Sequence, residues 1–337
     1  MIIILNKASE KQVQAILEKI SEKGFKASVS KGASKTIIGV IGKNASQFLE
    51  EFQNMPGVEQ AISVSSPFKL ASSEFHVEKT TVNVGKEIFG NNNAGMIAGP
   101  CSAESLEQVL EIAEKLHNLG VKVLRGSLFK PRSSPYEFQG LGLKGLEILE
   151  KARSEFGLAV ETEVMDVRDV KPVSEVVDCL RVGARNMQNF DLLKEVGRQK
   201  KPVILKRGLS ASIKEWLLSA EYILNEGNPN VILCERGIRT FETECRNTAD
   251  ISAIPLVHKL SHLPVIFDPS HAAGRKDLIT PLSLAAIAAG ADGLLVEVHS
   301  NPEKALSDAK QQLTPEEFAR FLQELRPVAK AVGKSII

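Results

Sequence analysis

Short apolar runs alternate with amphipathic helical segments eight times between residues 91 and 337. A parallel strand buried on both faces has this pattern, and the helix after it returns the chain to the start of the next strand. The runs are Met96–Ala98, Val121–Leu124, Leu158–Val160, Val177–Val182, Val203–Leu205, Val231–Leu233, Val265–Phe267 and Gly293–Val298. Eight such units in about 250 residues predict an α/β fold of the (β/α)8 TIM-barrel type. A doubly wound open sheet is the alternative, but the sequence has no glycine-rich dinucleotide fingerprint.

The first 65 residues follow a different pattern. An apolar run at 1–5 precedes a helix that opens at the capping box Ser9-x-x-Gln12. Two strand-like runs, a second helix near 45–55 and a last strand at Val58–Val64 follow. This βαββαβ order predicts a small α+β ferredoxin-like domain over 1–65. Residues 66–90 are interpreted as a linker and a short hairpin, and 91–337 as the barrel.

The overall charge and composition exclude several classes of protein. The 337 residues carry a formal net charge of +1, so no global field attracts nucleic acid or an anionic membrane. The apolar stretches are far shorter than the ~20 residues that span a bilayer, and the N-terminus does not resemble a secretory signal. Four cysteines in this length do not make a disulfide scaffold. We therefore expect a cytoplasmic protein that binds neither nucleic acid nor membrane.

Charged residues follow the apolar runs, and in a TIM barrel the active site is built at these carboxyl ends of the strands. Seven cations would meet there: Arg125, Lys130, Arg132, Arg185, Lys206, Arg236 and Arg275. Their mutual repulsion is relieved when polyanions bind, and phosphate groups match these donors well. The number of cations indicates either a bisphosphate or two phosphorylated substrates. Any one of these residues could instead be a solvated loop charge that binds nothing. This alternative explains the whole set less well.

Four further residues at the ends of the first, seventh and eighth runs are candidate metal ligands. They are Cys101, His271, Glu297 and Asp308. A thiolate, an imidazole and two carboxylates suit a divalent first-row metal. Cys101 alone would also fit a small buried hydrophobe, but its place in the loop after Gly99-Pro100 favours a ligand. Spacing alone does not choose between His271 and His299.

Motifs along the whole chain resemble those of the type I 3-deoxy-D-arabino-heptulosonate 7-phosphate (DAHP) synthases. The closest likeness is to the short bacterial form with an N-terminal ferredoxin-like regulatory domain. The segments are AGPCS at 98–102, KVLRG at 122–126, KPRSSPYEFQGLG at 130–142, GARNMQNF at 183–190, LKRG at 205–208, LCERGIRTFE at 233–242, DPSHAAGR at 268–275, VEVH at 296–299 and KALSD at 304–308. The resemblance implies condensation of phosphoenolpyruvate with erythrose 4-phosphate and water, the first step of the shikimate pathway to the aromatic amino acids. It also implies a homotetramer and feedback regulation by Tyr or Phe.

The resemblance also implies roles for matching residues. It assigns one divalent metal ion (Mn²⁺, Fe²⁺, Zn²⁺ or similar) to Cys101, His271, Glu297 and Asp308, and so favours His271 over His299. It assigns phosphoenolpyruvate to Arg125, Lys130, Gly183, Ala184, Arg185, Lys206 and Arg236. It assigns erythrose 4-phosphate to Lys130, Pro131, Arg132, Ser133 and Arg275. Lys130 is our candidate for proton transfer, since neighbouring cations make a lysine easier to deprotonate. Glu163 and His299 are further candidates that support the site or handle water.

Two rival functions remain open. The 3-deoxy-manno-octulosonate 8-phosphate synthases share the barrel and the phosphoenolpyruvate chemistry but use arabinose 5-phosphate. That family has an asparagine at the position of Pro131 and generally lacks the N-terminal domain, so both features favour DAHP synthase. A non-catalytic barrel that senses amino acids is the other rival, against which the complete set of ligands and cations counts. For residues 1–65 the alternative to regulation is a packing or oligomerisation module.

Overall fold

The chain folds into two compact units, each with its own core. The computed structural model describes residues 1–31, 35–64, 67–76, 78–132 and 134–337. One unit comprises Met1–Lys79 with Lys259–His262, and the other comprises Thr80–His258 with Leu263–Ile337. Within the described ranges, no helix is both long enough and apolar enough to cross a bilayer.

The smaller unit is a four-stranded antiparallel sheet with two helices. In chain order its elements are β1 (Ile2–Asn6), α1 (Glu10–Glu22), β2 (Lys26–Lys31), β3 (Lys35–Ile41), α2 (Leu49–Gln53) and β4 (Val58–Ile62). The strand order β2-β3-β1-β4 confirms the predicted ferredoxin-like arrangement. The capping box is also present, because Ser9 and Gln12 each bond the backbone of the other. The second helix is shorter than predicted, since a 3-10 turn at Ala45–Phe48 precedes it.

The larger unit is a closed barrel of eight parallel strands, which confirms the predicted TIM barrel. The strands are β7 (Gly95–Gly99), β8 (Val123–Arg125), β9 (Ala159–Val164), β10 (Cys179–Val182), β11 (Val203–Lys206), β12 (Val231–Glu235), β13 (Val265–Phe267) and β14 (Gly293–Glu297), after the hairpin β5 (Val82–Val84) and β6 (Glu87–Phe89). The helices are α3 (Leu106–Asn118), α4 (Leu146–Phe156), α5 (Val167–Val176), α6 (Phe190–Arg198), α7 (Ile213–Asn225), α8 (Ala253–Leu260), α9 (Pro269–Ala273), α10 (Ile279–Ala288) and α11 (Pro315–Ala331).

The hairpin closes the amino-terminal end of the barrel. Val82, Val84 and Phe89 are fully buried in one core cluster with the interior side chains of the strands. The Phe89 ring lies so close to Gly95 and Gly293, which begin two strands, that a Cβ on either glycine would overlap it. This apolar plug fills the barrel interior at its amino-terminal end, so the interior opens at the carboxyl ends of the strands.

The barrel interior changes from apolar to charged within two residues along six of the eight strands. The apolar interior residues are Ile97, Val123, Ala159, Cys179, Ile204, Ile232, Ile266 and Leu295. Side chains two positions apart on a strand share a face, so the next interior residues are Gly99, Arg125, Glu161, Arg181, Lys206, Cys234, Asp268 and Glu297. We call this second set the charged layer. It separates the apolar core from the open end of the barrel.

Candidate active site

Six residues of the charged layer form three ion pairs inside the barrel. The pairs are Arg125 Nη2 with Glu297 Oε1 at 2.9 Å, Arg181 Nε with Glu161 Oε1 at 2.6 Å, and Lys206 Nζ with Asp268 Oδ2 at 2.5 Å. All six side chains are buried. Buried charges are tolerated when opposite charges and hydrogen bonds compensate for their lost hydration. Three cations and three carboxylates leave this layer without net charge.

Two of the three pairs span a strand whose own layer residue is small. Arg125 on β8 reaches Glu297 on β14 across β7, where the layer residue is Gly99. The pair between β11 and β13 likewise spans β12, where the layer residue is Cys234. A bulky side chain at either position would fill the space between the partners. The two small residues therefore allow these charges to pair.

Beside this layer, four side chains form a cluster with the chemistry of a metal site. The potential ligand atoms of Cys101, His271, Glu297 and Asp308 all lie within 4.8 Å of one another. Cys101 Sγ is 3.3 Å from Asp308 Oδ2, and His271 Nε2 is 3.5 Å from Glu297 Oε1. Glu297 Oε1 is buried, and although Arg125 Nη2 lies 2.9 Å from it, it accepts no well-directed hydrogen bond. This donor set fits a divalent first-row metal.

The position of the His271 ring is determined by Asp268 at the start of α9. Asp268 Oδ1 accepts a hydrogen bond from the His271 backbone N–H at 2.9 Å, and its Oδ2 lies 2.8 Å from His271 Nδ1. Nε2 is therefore directed at the cluster. In known metal sites, a carboxylate beside one ring nitrogen of a histidine orients the other nitrogen towards the metal in the same way. Burial lowers the pKa of His271 to about 4, against the opposing effect of Asp268. The imidazole is neutral at neutral pH, which is the form that binds metals.

The acidic members of the cluster are ionised, whereas the thiol is not. Burial alone would raise the pKa of Asp308, but His271 and Arg246 hold that pKa well below its usual range. Burial and the nearby Glu297 carboxylate raise the pKa of the Cys101 thiol to about 12. Lys130 Nζ lies 2.8 Å from Cys101 Sγ. A thiol that coordinates a metal loses its proton, so the bound cation would supply the charge that offsets this thiolate.

A cavity of about 250 Å³ lies above the charged layer, and its lining is strongly cationic. Seven of its fifteen lining residues are cations: Lys130, Arg132, Arg181, Arg185, Lys206, Arg236 and Arg246. The other eight are Pro131, Glu137, Glu163, Gly183, Ala184, Leu209, His271 and Asp308. Two members of the metal-type cluster thus open directly into the cationic cavity. Such a lining suits ligands with several negative charges.

Some of these cations have no carboxylate partner. Among the described residues, Lys130, Arg185 and Arg236 form no ion pair. Arg236 is buried, and burial lowers its pKa. A buried guanidinium without a carboxylate is costly until an anion reaches it. These three side chains are therefore the ones most available to an anionic ligand.

Most residues that the sequence predicted for the site line this cavity. They are Lys130, Pro131, Arg132, Glu163, Gly183, Ala184, Arg185, Lys206, Arg236, His271 and Asp308. Arg125 lies below it, fully buried, and its guanidinium donates to the backbone oxygens of Pro100 and Cys101. Ser133 lies outside the described residues.

Two further predicted residues, Arg275 and His299, belong neither to the cavity lining nor to the metal-type cluster. Arg275 is half-exposed and directed at Asp277, with Nε 2.8 Å from its Oδ1. His299 is buried, its Nδ1 accepts a hydrogen bond from the Asn301 N–H, and its Nε2 lies 4.0 Å from Glu104 Oε2. The structure therefore brings His271, and not His299, into the metal-type cluster. The assignment of Arg275 to erythrose 4-phosphate remains a prediction.

Sequence reasoning missed two cations of the lining. Arg181 interrupts the apolar run at 177–182, and a charged residue inside such a run is a signal that it faces a polar interior. Arg246 follows β12 at a distance, and no local pattern marks it. Its Nη1 lies 3.3 Å from Asp308 Oδ1 and donates to Gln311 Oε1 at 2.9 Å. Arg246 thus supports a candidate metal ligand.

Comparison with known families covers both units. The family model described as the DAHP synthetase I family matches residues 71–332. The model described as the DAHP synthase ferredoxin-like domain matches residues 1–66. The two matches together span nearly all of the chain.

Individual relatives agree with these matches. Phospho-2-dehydro-3-deoxyheptonate aldolase of Thermotoga maritima is 53% identical over 287 residues, which cover 85% of each chain. The 2-dehydro-3-deoxyphosphooctonate aldolase of Syntrophobacter fumaroxidans is 32% identical and covers 73% of this chain and 91% of its own. A crystal structure of the Thermotoga maritima DAHP synthase superposes with a TM-score of 0.79 at 48% identity, covering 100% of this chain and 98% of the other. A truncated form of that enzyme gives a TM-score of 0.74 at 51% identity over 80% of this chain and 98% of its own. The chain therefore belongs to the DAHP synthetase I family, as an enzyme of the DAHP synthase class with a ferredoxin-like domain ahead of its barrel.

Proposed function

We propose that this enzyme condenses phosphoenolpyruvate with erythrose 4-phosphate and water in the cavity, and so produces DAHP and phosphate. One observation carries this proposal: a single cavity joins seven cations to the four-residue metal-type cluster. Two phosphates and a carboxylate bring several negative charges together, and closely placed guanidinium and ammonium groups offset them. A ligand with a single phosphate would need fewer cations.

Phosphoenolpyruvate is the ligand we assign to the cations that have no carboxylate partner. Lys130, Arg185 and Arg236 are available for its phosphate and carboxylate because no carboxylate of the described chain pairs with them. Lys206, which belongs to the charged layer, adds a positive charge at the bottom of the cavity. The backbone at 183–184 contributes N–H donors at the phosphate. Arg125 supports this arrangement from below through Glu297 and the Cys101 loop. Direct contact of Arg125 with phosphoenolpyruvate remains part of the proposal.

Erythrose 4-phosphate is assigned to the segment Lys130-Pro131-Arg132-Ser133 and to Arg275. Arg132 lines the cavity and pairs with Glu137 at 2.9 Å, so its guanidinium already lies at the mouth. Arg275 would exchange its exposed partner Asp277 for the sugar phosphate. That exchange is inexpensive, since an exposed ion pair contributes little free energy.

The reaction forms one carbon–carbon bond and breaks one carbon–oxygen bond. C3 of phosphoenolpyruvate attacks the aldehyde carbon, water adds at C2, and phosphate leaves with the electrons of its C2–O bond. Cys101, His271, Glu297 and Asp308 would hold a divalent metal, which supplies Lewis acidity for the aldehyde oxygen or activates water. The cations hold the two substrates in attack geometry and offset their charge. Lys130 Nζ delivers a proton to the aldehyde oxygen, and Glu163 accepts a proton from the water that adds at C2.

A steady-state assay tests this proposal and its nearest rival together. Purified protein is supplied with phosphoenolpyruvate and either erythrose 4-phosphate or arabinose 5-phosphate, with Mn²⁺ added or with a chelator. We expect phosphate release with erythrose 4-phosphate and metal, at least a hundred-fold above that with arabinose 5-phosphate. Preference for arabinose 5-phosphate would identify the octulosonate reaction instead. Binding of an aromatic amino acid without any turnover would favour the sensor.

Regulation is the function we propose for the ferredoxin-like domain. Its family match and the absence of a plausible catalytic group in residues 1–65 support this role. An effector such as Tyr or Phe would act only if it bound two states of the enzyme with different affinity. A homotetramer and a cytoplasmic location belong to the same proposal.

A further inference from the structure

Arg181 is held on three sides by partners inside the barrel. Its Nε donates to Glu161 Oε1 at 2.6 Å, its Nη1 to Glu163 Oε2 at 3.2 Å, and its Nη2 to Ser127 Oγ at 2.6 Å. Arg181 is 1% exposed as a residue, and its three partners are buried as well. Since the fork of an arginine is planar and rigid, three partners determine both its position and its orientation.

This arrangement determines how Glu163 faces the cavity. Its Oε2 is bound to Arg181, so its Oε1 is directed away from that contact. A Cβ built on Gly183 would lie 2.1 Å from Glu163 Oε1, which places this oxygen directly against the loop proposed to bind the phosphate of phosphoenolpyruvate. Glu163 lines the cavity, and within the described part of the chain no hydrogen bond reaches Oε1. The site therefore contains a carboxylate with one fixed and one available oxygen.

The charge of Arg181 is already offset. Glu161 and Glu163 bring two negative charges to this one guanidinium, so little of its positive charge is left for a substrate anion. Lys130, Arg185 and Arg236 differ in this respect, since no described carboxylate pairs with them. Lining the cavity is therefore not enough to make Arg181 a ligand for phosphate.

We propose that Arg181, fixed by Glu161 and Ser127, is a positioning residue that presents Glu163 Oε1 to the water adding at C2 of phosphoenolpyruvate. This inference rests on the proposed function. As the water oxygen bonds to C2, its proton passes to Glu163 Oε1. When the C2–O bond to phosphate breaks, the departing phosphate oxygen takes the proton held by Glu163. The new C2 hydroxyl becomes the ketone by giving its proton to Lys130, which replaces the proton that Lys130 gave to the aldehyde oxygen. Arg181 itself does not bind the substrates.

The test is a double-mutant cycle between Arg181→Lys and Glu163→Gln. The lysine keeps the charge but has one ammonium in place of the fork, so it cannot hold all three partners. We expect Arg181→Lys to lower kcat about a hundred-fold, the scale of a misplaced catalytic group, with the KM for phosphoenolpyruvate within about three-fold of the parent. Glu163→Gln should lower kcat by a similar or larger factor. The double variant should fall no further than Glu163→Gln, because Arg181 acts through that carboxylate.

A second pair of variants tests the charge argument. Arg181→Gln leaves Glu161 and Glu163 without a cation, so it should raise the KM for phosphoenolpyruvate about ten-fold through repulsion. Arg181→Gln combined with Glu161→Gln removes one charge of each sign and should return that KM to within about three-fold of the parent, while kcat stays low. If Arg181 bound phosphoenolpyruvate directly, the second substitution would not restore the KM.

Controls separate this inference from misfolding and from failure of the proposed function. Arg153→Lys alters a half-exposed arginine that lies 3.5 Å from Asp178, and it should leave the kinetics unchanged. Thermal unfolding and metal content are recorded for every variant. If Arg181→Gln does not fold, the double-mutant cycle between Arg181→Lys and Glu163→Gln decides the question by itself. An inactive parent would refute the proposed function and this inference with it. An active parent in which the two losses multiply, or in which Arg181→Lys keeps its kcat, would refute this inference alone.

Discussion

Gly99 and Arg125 approach so closely across neighbouring strands that a Cβ on Gly99 would lie 2.3 Å from the carbonyl oxygen of Arg125. The φ angle of Gly99 is +148°, a conformation that residues with side chains rarely adopt. Arg125 also reaches Glu297 across this glycine. The close approach of β7 and β8 therefore depends on the absence of a side chain at Gly99.

Gly99→Ala is expected to destabilise the fold by about 2–4 kcal/mol, because backbone atoms would have to move to remove the overlap. Chemical denaturation measures this loss. Gly120→Ala is the matched control: its φ is +91°, but nothing lies within 4 Å of the added Cβ, so only about 1 kcal/mol of strain is expected. Equal losses in the two variants would show that the contact with Arg125 is unimportant.

Cys101→Ser is expected to remove most bound metal and most turnover, because a hydroxyl is a poor replacement for a thiolate ligand. Metal content of the purified variant and parent is the measurement. Cys245→Ser is the control, since Cys245 is a free cysteine outside the cluster. Full metal occupancy together with a parental rate in Cys101→Ser would remove this residue from the ligand set.

Arg275→Ala is expected to raise the KM for erythrose 4-phosphate roughly ten- to a hundred-fold and to change that for phosphoenolpyruvate much less. A charge-assisted hydrogen bond of ~1.5–3 kcal/mol corresponds to this factor. Lys276→Ala is a suitable control, because that neighbouring cation pairs with Glu317 at 2.8 Å. Equal effects on both substrates, or none, would assign the sugar phosphate to another cation of the cavity.

Glu87→Gln is expected to stabilise the fold at neutral pH. Burial raises the pKa of Glu87 although Lys122 lies 3.2 Å from its Oε2. The native state then binds this proton more tightly than the unfolded chain. The contribution of the carboxyl to stability is therefore present below its unfolded pKa and is lost as pH rises through the folded value.

Denaturation at pH 7 should show the Glu87→Gln variant more stable by up to about 1 kcal/mol, the scale of one buried polar group, with the difference shrinking towards pH 4. Glu111→Gln serves as a control of opposite sign. A hydrogen bond from Lys115 lowers the pKa of Glu111, so neutralising it should not stabilise the fold at pH 7. A Glu87→Gln variant less stable than the parent at pH 7 would contradict the assignment.

Removal of residues 1–65 is expected to leave turnover intact and to abolish inhibition by Tyr or Phe. The structure of a truncated relative makes folding of the remaining chain a sound expectation. Initial rates of the full and shortened proteins, each with millimolar Tyr or Phe, are compared. A full-length enzyme that ignores both amino acids, or a shortened one that is still inhibited, would leave residues 1–65 as a packing or oligomerisation module.

The fold could be predicted because its signals are local. Apolar runs and capping residues report on the strand and helix they belong to, and eight repeats leave few possible topologies. The predicted ends of the strands were less accurate than the predicted order of the elements. Arg125 and Lys206 lie within strands rather than beyond them, because backbone hydrogen bonding continues where the interior becomes polar. The apolar run marks the depth of the core and not the length of the strand.

The candidate site was predictable where residues lie close to a strand end. The metal-type cluster and most of the cations belong to this group. Arg246 and the outward direction of Arg275 were not predictable, because long loops carry them and pairing with Asp308 and Asp277 determines where they point. The role of Glu161 was also hidden, since its partner Arg181 lies on another strand.

The charged layer has no net charge, and this affects how the enzyme responds to ionic strength. Its three ion pairs are buried, so dissolved salt screens them only weakly. Lys130, Arg185 and Arg236, to which we assign phosphoenolpyruvate, line the cavity without a described carboxylate partner, and like charges repel one another when no anion lies between them. Raising the salt concentration should therefore slow the capture of substrate while leaving the melting temperature of the barrel almost unchanged.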